Sequence, residues 1–313
     1  MPLAKTLSMG LIIIFLALSA SLTTAGRRTS PSRSWTDPSY TKEIEKWRNE
    51  RLEEINGENG WNTLVGLFWL NEGKNRFGSH PSNEIVLPRN RVPKFAGSLR
   101  LATGTIRLTT IPGSGITVEG NRVSDLLLRS DTDGFPTALK LGSLTMFVIK
   151  RGDKFGLRVK DRHHPARSNF HGLQYFPLDE TWRVEAKLEA YVPPKVIPIA
   201  NVLDMVDNMI SPGALVFKMS GKEYRLDPVL EKGSKQFFLI FADLTSGKQT
   251  YGAGRYVYVD PPGADGKVII DFNKAHNPPC AFTKFATCPL PPRQNRLAMR
   301  VEAGEMKYVG SGH

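Results

Sequence analysis

The sequence predicts a mostly β protein of two β-rich domains, a β-sandwich followed by a second barrel-like or sandwich domain, with one N-terminal amphipathic helix. Three observations predict it. Short apolar or alternating runs recur between turn residues along most of the chain, the pattern of strands joined by tight connections. The 28 glycines and 22 prolines punctuate those runs, and both residue types interrupt helices. Apolar residues at helical spacing are confined to one stretch near the N-terminus.

In chain order the first element is a leader. Lys5 gives a positive start, Leu11-Ile-Ile-Ile-Phe-Leu-Ala-Leu18 an apolar centre, and Thr23-Thr-Ala25 small residues at a cleavage point. Residues 1–25 therefore read as a secretory signal peptide cut after Ala25. The apolar stretch from Met9 to Ala20 is shorter than the roughly 20 residues that cross a bilayer core. No cysteine stands near the cut to carry a lipid. The expected location is periplasmic or extracellular, without an integral membrane anchor after cleavage. The formal net charge is +12, and removing Lys5 with the leader leaves +11. This excess is scattered among acidic residues, which argues against nucleic acid and for a small-molecule or envelope-derived anionic ligand.

Residues 26–60 are expected to form a basic arm and the helix. Positions 26–36 carry almost nothing to bury. Asp37-Pro38 then supplies a cap followed by proline at the first helical position. Tyr40, Ile44, Trp47 and Ile55 recur at helical spacing, and Gly57 stops the run. The helix reads as a structural element docked on the body.

Residues 61–162 are expected to form the first sandwich. Leu64–Leu70, Glu84–Leu87, Gly97–Leu101, Thr105–Thr109, Gly115–Glu119, Ser143–Ile149 and Phe155–Val159 are each bounded by Gly, Pro, Asn or Asp. Trp61, Phe68 and Trp69 read as core, as does Trp182 further on. Asn75-Arg-Phe-Gly-Ser79, Ser82-Asn-Glu-Ile-Val-Leu87, Val118-Glu-Gly-Asn121 and Leu139-Lys-Leu-Gly-Ser143, in that order, resemble a forkhead-associated sandwich. That family reads phosphothreonine with an arginine after the first motif's glycine and a Ser-x-x-His in the next. Here Ser79 follows Gly78, and Arg91-Val-Pro-Lys-Phe-Ala-Gly97 holds neither. The resemblance implies the scaffold and not the phosphopeptide function.

The polar stretch Asp161–Asn169 breaks the pattern, and its His163 and His164, with the nearby His171, read as exposed loop residues, with no metal site expected. Residues 163–313 form the expected second domain, with strand-like runs at 183–192, 196–203, 214–219, 237–241, 255–259 and 268–272. Its last 65 or so residues gather polar, Gly and Pro residues more densely than core building requires. They include Thr250-Tyr-Gly-Ala-Gly-Arg255, Asp271-Phe-Asn-Lys-Ala-His-Asn-Pro-Pro-Cys-Ala-Phe282, Cys288-Pro-Leu-Pro-Pro292 and Glu302-Ala-Gly-Glu305. With Gly66-Leu-Phe-Trp-Leu70, Arg151-Gly-Asp-Lys-Phe-Gly-Leu-Arg158, Tyr175-Phe-Pro177 and Ser211-Pro-Gly-Ala-Leu-Val-Phe217, these segments resemble the domain of unknown function 1684 family from about Trp47 to Tyr308. The resemblance implies no reaction. It implies tyrosine where His276 stands, which weakens any unique catalytic duty for that histidine.

The candidate site is a polar pocket in this second domain. Arg255, between glycines and tyrosines, suits a bidentate grip on a carboxylate or phosphate, with Tyr251, Asn273, Asn277 and Asn295 as further ligand-binding residues. Asp271, Glu302 and Cys280 are the catalytic candidates. The oxygen-bearing set of Asp271, Asn273, Asn277, Asn295, Glu302 and Glu305 also suits acid–base work or a hard cation, or simply turn formation. Cys280 and Cys288 first read as a disulfide, which in a loop this short adds on the order of 2.5 kcal/mol. A nucleophilic thiol and a pair of metal ligands are the alternatives. No cofactor is expected. The leading function is a ligand-binding or structural protein of the cell envelope or exterior; the competing one is an exported hydrolase acting on an anionic or envelope-derived substrate.

Overall fold

The computed structural model describes residues 37–310; the expected signal peptide and the basic arm of residues 26–36 lie outside the described residues. Helix α1 (Pro38–Asn56) forms as its sequence dictates. The Asp37 carboxylate accepts the Ser39 amide at 2.8 Å, and at the other end the Gly57 amide donates to the Glu53 carbonyl. A side chain at position 57 would collide with Glu53. Ile44 and Ile55 are fully buried, worth about 2 kcal/mol each. Arg51 is buried on the same helix, which no hydrophobic pattern predicts.

Eleven short strands follow: β1 (Leu64–Trp69), β2 (Gly73–Gly78), β3 (Ile85–Val86), β4 (Gly97–Ala102), β5 (Thr105–Thr110), β6 (Thr117–Val118), β7 (Asn121–Arg122), β8 (Asp125–Leu128), β9 (Leu139–Leu141), β10 (Leu144–Arg151) and β11 (Lys154–Asp161). They make two sheets, one ordered β1-β11-β10-β9-β6-β7 and the other β3-β2-β4-β5-β8. Phe77, Leu99, Leu108, Met146, Val148, Leu157 and Val159 fill the core between them. Alternation along β11 fixes what matters later. Phe155, Leu157 and Val159 enter that core, so Gly156, Arg158 and Lys160 point to the opposite face of the sheet.

After the four-residue helix α2 (Pro165–Ser168), a third sheet is built from β12 (Arg183–Ala200), β13 (Val206–Met219), β14 (Lys222–Leu226), β15 (Val229–Leu230), β16 (Phe237–Phe241), β17 (Arg255–Val259) and β18 (Lys267–Asp271). Its order is β17-β16-β15-β13-β12-β18, with β14 beside β13. β17 and β18 approach each other, so the sheet curls into a nearly closed barrel. The run at 183–192 and the first five residues of the run at 196–203 belong to a single long strand that pairs with β13 on both sides of an irregularity, and 201–203 form the turn after it. The mostly β architecture with one long N-terminal helix is as the sequence predicts. Among the described residues no helix is long and apolar enough to cross a membrane.

Both faces of β16 are buried. Phe237, Leu239 and Phe241, with Val257 and Val259 of β17, pack into the barrel interior. Phe238, Ile240 and Tyr256 pack on the other face. The segment after β18 then runs as a strap over the body. Gly304 on this strap has φ 74°, and a Cβ there would meet the Ala275 carbonyl oxygen at 2.3 Å, so only glycine lets the two backbones pass.

Candidate functional site

Arg255, the residue the motifs favour, is fully buried inside the barrel face. One Nη donates to Asp243 Oδ2 at 2.9 Å and to the Val301 carbonyl at 2.8 Å. The other donates to the Ala303 and Glu305 carbonyls. The guanidinium is a clamp for the strap, and its Nη donors are spent on protein atoms. Alternation explains the placement: Arg255, Val257 and Val259 share one face of β17, leaving Tyr256 and Tyr258 on the other.

The remaining expected site residues are dispersed. Tyr251 donates to the Cys280 carbonyl at 3.1 Å. Asp271 accepts the Tyr40 hydroxyl on both oxygens at 2.9 Å, and Asn273 donates to that hydroxyl at 2.9 Å, so this pair seats α1. Asn277 holds the Met306 carbonyl, while its amide donates to Glu305. Asn295 bridges both the amide and the carbonyl of Asp227 to the Ile240 carbonyl. Glu302 pairs with Arg300 at the surface. The polar pocket expected from these residues does not form, because their polar atoms are used to fasten the strap and the helix. Among the described residues no three His, Cys, Asp or Glu side chains gather as metal ligands.

A cavity of about 410 Å³ lies instead on the opposite face of β17. Trp47 and Glu54 of α1 and Trp61 form one side, and Arg151 and Arg158 of β10 and β11 another. Phe238, Tyr256, Tyr258 and Glu231 of the third sheet close it, together with His276 and the 286–289 segment of the strap. Helix α1 is therefore more than a docked support, and Trp61, packed against the buried cluster that holds Phe238 and Tyr256, also lines the cavity.

The charges of this cavity divide into paired and unpaired. Arg51 is held by Glu305 at 2.9 Å, Glu54 at 2.7 Å and the Asn277 carbonyl at 2.6 Å. Arg151 is held by Asp131 at 2.7 Å and by Thr287 at 3.1 Å. Arg158 differs. It is only 6% exposed, and among the described residues it has no carboxylate in ion-pair range and no hydrogen-bond acceptor, its Nε being buried without a partner. Its contacts are the rings of Trp61 at 5.4 Å and Phe147 at 5.9 Å. Burial, and then the charge of Arg151, push its pKa down to about 10, which leaves it cationic at neutral pH. Lys160, two residues along the same strand face, lies against the same two rings. Burial and then Arg158 lower it to about 8.

The other ionisable groups are quieter. Burial, then the Arg51 charge, hold His276 down to about 3, so its ring is neutral. The ring stacks on Tyr258. Burial raises Glu231 despite the Tyr258 hydroxyl donated to it at 3.0 Å. Cys280 and Cys288 are neighbours but unbonded. The Cys280 amide donates to Cys288 Sγ at 3.1 Å, so that sulfur sits over the backbone and the expected disulfide is not formed in this structure. Burial pushes the Cys288 thiol far up, so Cys280 and not Cys288 is the sulfur that ionises first.

The family model described as protein of unknown function (DUF1684) matches residues 168–306. An uncharacterised protein of Haloarcula marismortui, known from a solution NMR structure, is 34% identical over 45% of this chain and 78% of that one, with a TM-score of 0.38. The chain belongs to the DUF1684 family. An FHA domain from work on phosphothreonine-dependent interactions aligns at 21% identity over 31% of this chain and 96% of that one, TM-score 0.22. The FhaA FHA domain, solved in complex with an intracellular domain, aligns at 20% identity over 29% and 96%, TM-score 0.22. In this DUF1684 protein the Ser79 hydroxyl donates to the Val92 carbonyl. No curated protein matches the chain. The cavity draws on residues inside and outside the matched span: Glu231, Tyr258 and His276 lie within it, and Trp47, Trp61, Arg151 and Arg158 precede it.

The signal for Arg158 was present in the Arg151-to-Arg158 motif. An arginine alternating with Phe155, Leu157 and Val159 sits on the second face of a central strand, between Leu67 and Phe147. What the sequence lacked was any indication that the far-off strap covers that face.

Proposed function

We propose that this chain is an exported binding protein for a small organic anion, held in the cavity between α1, the first sandwich and the barrel. Export rests on the basic start, apolar run and small residues of positions 1–25. The observation that carries the ligand class is Arg158. A buried guanidinium without an ion-pair or hydrogen-bond partner is costly, and an anionic group from a ligand would supply the missing partner with a charge-assisted, bidentate contact. Trp61, Tyr256, Tyr258 and Phe238 offer flat apolar walls for the remainder of such a molecule. The volume of about 410 Å³ suits a ligand at the small end of the usual range.

The test is a thermal-shift screen of mono- and dicarboxylates, aromatic carboxylates and phosphate esters against the wild-type chain and Arg158→Met. At least one class should raise the wild-type melting temperature, with that rise lost in the variant. If every anion that stabilises the wild type stabilises Arg158→Met equally, the reading is wrong. The hydrolase alternative has one observation in its favour: Glu231, a carboxyl on the cavity wall with a pKa raised by burial, is suited to act as a general acid. Turnover of chromogenic carboxylate and phosphate esters that Glu231→Gln abolishes would replace binding by catalysis.

A further inference from the structure

The strap that closes the cavity carries the two cysteines, and their arrangement is more specific than proximity. Cys280 sits in a single turn of tight helix, Pro279–Ala281, and is half-buried. Cys288 is buried and lines the cavity. The Cys280 amide donates to the Cys288 sulfur at 3.1 Å, and the two thiols lie against each other, with the Tyr251 hydroxyl beside Cys280 and that of Tyr256 beside Cys288. We infer that Cys280 and Cys288 form a reversible dithiol–disulfide pair that resets the wall of the anion cavity.

The two thiols differ in the way such a pair requires. The contact with Cys288 lowers the Cys280 pKa, while burial raises that of Cys288. Cys280 is the thiol that ionises first and the one that solvent reaches, so it is the attacking sulfur. With a small-molecule disulfide as oxidant, the Cys280 thiolate attacks one of its sulfurs. A mixed disulfide forms and the first small thiolate leaves, taking up the proton that Cys280 lost. Cys288 then gives up its proton and attacks Cys280 Sγ. The protein disulfide forms and the second small thiol leaves with that proton. Two protein thiols are oxidised and one small disulfide is reduced to two thiols.

The segment between the cysteines transmits the change. Thr283 donates to the Leu64 carbonyl of β1. Thr287 accepts the Arg151 Nε at 3.1 Å, and Ala286 and Thr287 line the cavity. Drawing the sulfurs to a bonding distance of about 2.05 Å moves Thr287, and with it Arg151, beside the unpaired Arg158.

The experiment treats the folded chain with oxidised glutathione, alkylates the remaining thiols, and reads intact and peptide masses. The expected product has lost both alkylation sites and contains a peptide crosslinked between Cys280 and Cys288, and dithiothreitol reverses it. Cys288→Ser should stop at a glutathione adduct on Cys280, and Cys280→Ser should leave Cys288 unmodified. Hydrogen exchange should slow several-fold across 279–289 on oxidation and change across 150–158. Persistence of two alkylatable thiols in the wild type overturns the proposal, as does an adduct on Cys288 in Cys280→Ser. So does a disulfide that leaves exchange at 150–158 untouched. None of these readouts uses a ligand, so they stand or fall separately from the anion-binding reading.

Discussion

Two arginines, Arg255 and Arg158, are buried to nearly the same degree and do opposite things. Arg255 lies on the inner face of β17, where Asp243 neutralises it and three strap carbonyls take its remaining Nη hydrogens. Arg158 lies on the outer face of β11, where it meets two aromatic rings and an open cavity. A buried cation with an ion-pair partner and acceptors for both its Nη groups is part of the architecture, although its Nε, like that of Arg158, has no acceptor. One that folding leaves without an ion-pair or hydrogen-bond partner, beside empty space, is the observation on which the proposed anion binding rests. The contrast separates the strap's fastenings from the surface the strap covers.

The largest effect should come from breaking the fastened arginine. Asp243→Asn leaves the Arg255 charge uncompensated in the barrel, and loss of one member of a buried pair costs about 3–5 kcal/mol. The Asp243 side chain also accepts the Thr245 and Val301 amides, so the strap should loosen with it. Urea unfolding should register the loss, and hydrogen exchange should rise across 295–306 before the rest of the chain. A stability change below about 1 kcal/mol would place Arg255 outside the ion-pair class altogether.

The same contrast explains what the sequence could and could not convey. Helix α1 was legible to its caps, because Asp37, Pro38 and Gly57 act locally. Strands β16 and β17 were legible to the residue, since Phe237–Phe241 and Arg255–Val259 are apolar runs between turns. The candidate site was not, and the reason is the period-two geometry of strands. Arg255 stood out for its glycine and tyrosine neighbours, but the face it occupies depends on which side of β17 the barrel closes. Tyr256 and Tyr258, its neighbours in sequence, are the ones that reach the cavity. Arg158 sat inside a recognised motif, yet its isolation arises only when residues more than a hundred positions away fold over it. Asn273, Asn277 and Asn295 were rightly prominent, but as bridges between backbone groups, a use that short polar side chains in proline-rich segments serve as readily as ligand binding.

His276 lies between the two regions, its backbone paired with Tyr256 of β17 and its ring on the cavity side. Its pKa of about 3 in the folded chain, set by burial and then by Arg51, falls below that of an unfolded histidine, about 6.5. Between those values the unfolded chain binds a proton that the folded chain refuses, so the contribution is intact above about pH 6.5 and is lost as pH falls. At about pH 5 the loss should reach about 2 kcal/mol. Glu305 and Asp271, raised chiefly by burial, act in the opposite direction, so the comparison must be with His276→Phe rather than with a flat line. The variant should lose less stability than the wild type between about pH 7 and pH 5, read as urea midpoints. Equal losses would mean that the ring is protonated in the folded chain.

The smallest effect on stability should come from the isolated arginine. Arg158→Met keeps the length of the side chain against Trp61 and Phe147 and removes the burden of a desolvated charge. What it gives up is the pair of cation–π contacts, worth about 0.5–2 kcal/mol in total at such sites, and these two terms offset. The unfolding midpoint should therefore stay within about 1 kcal/mol of wild type, in contrast to Asp243→Asn, although both changes strike groups buried beyond 90%. A loss approaching that of Asp243→Asn would mean that Arg158 is satisfied by the protein itself, and the distinction between a fastening and a site would collapse at the residue on which it rests.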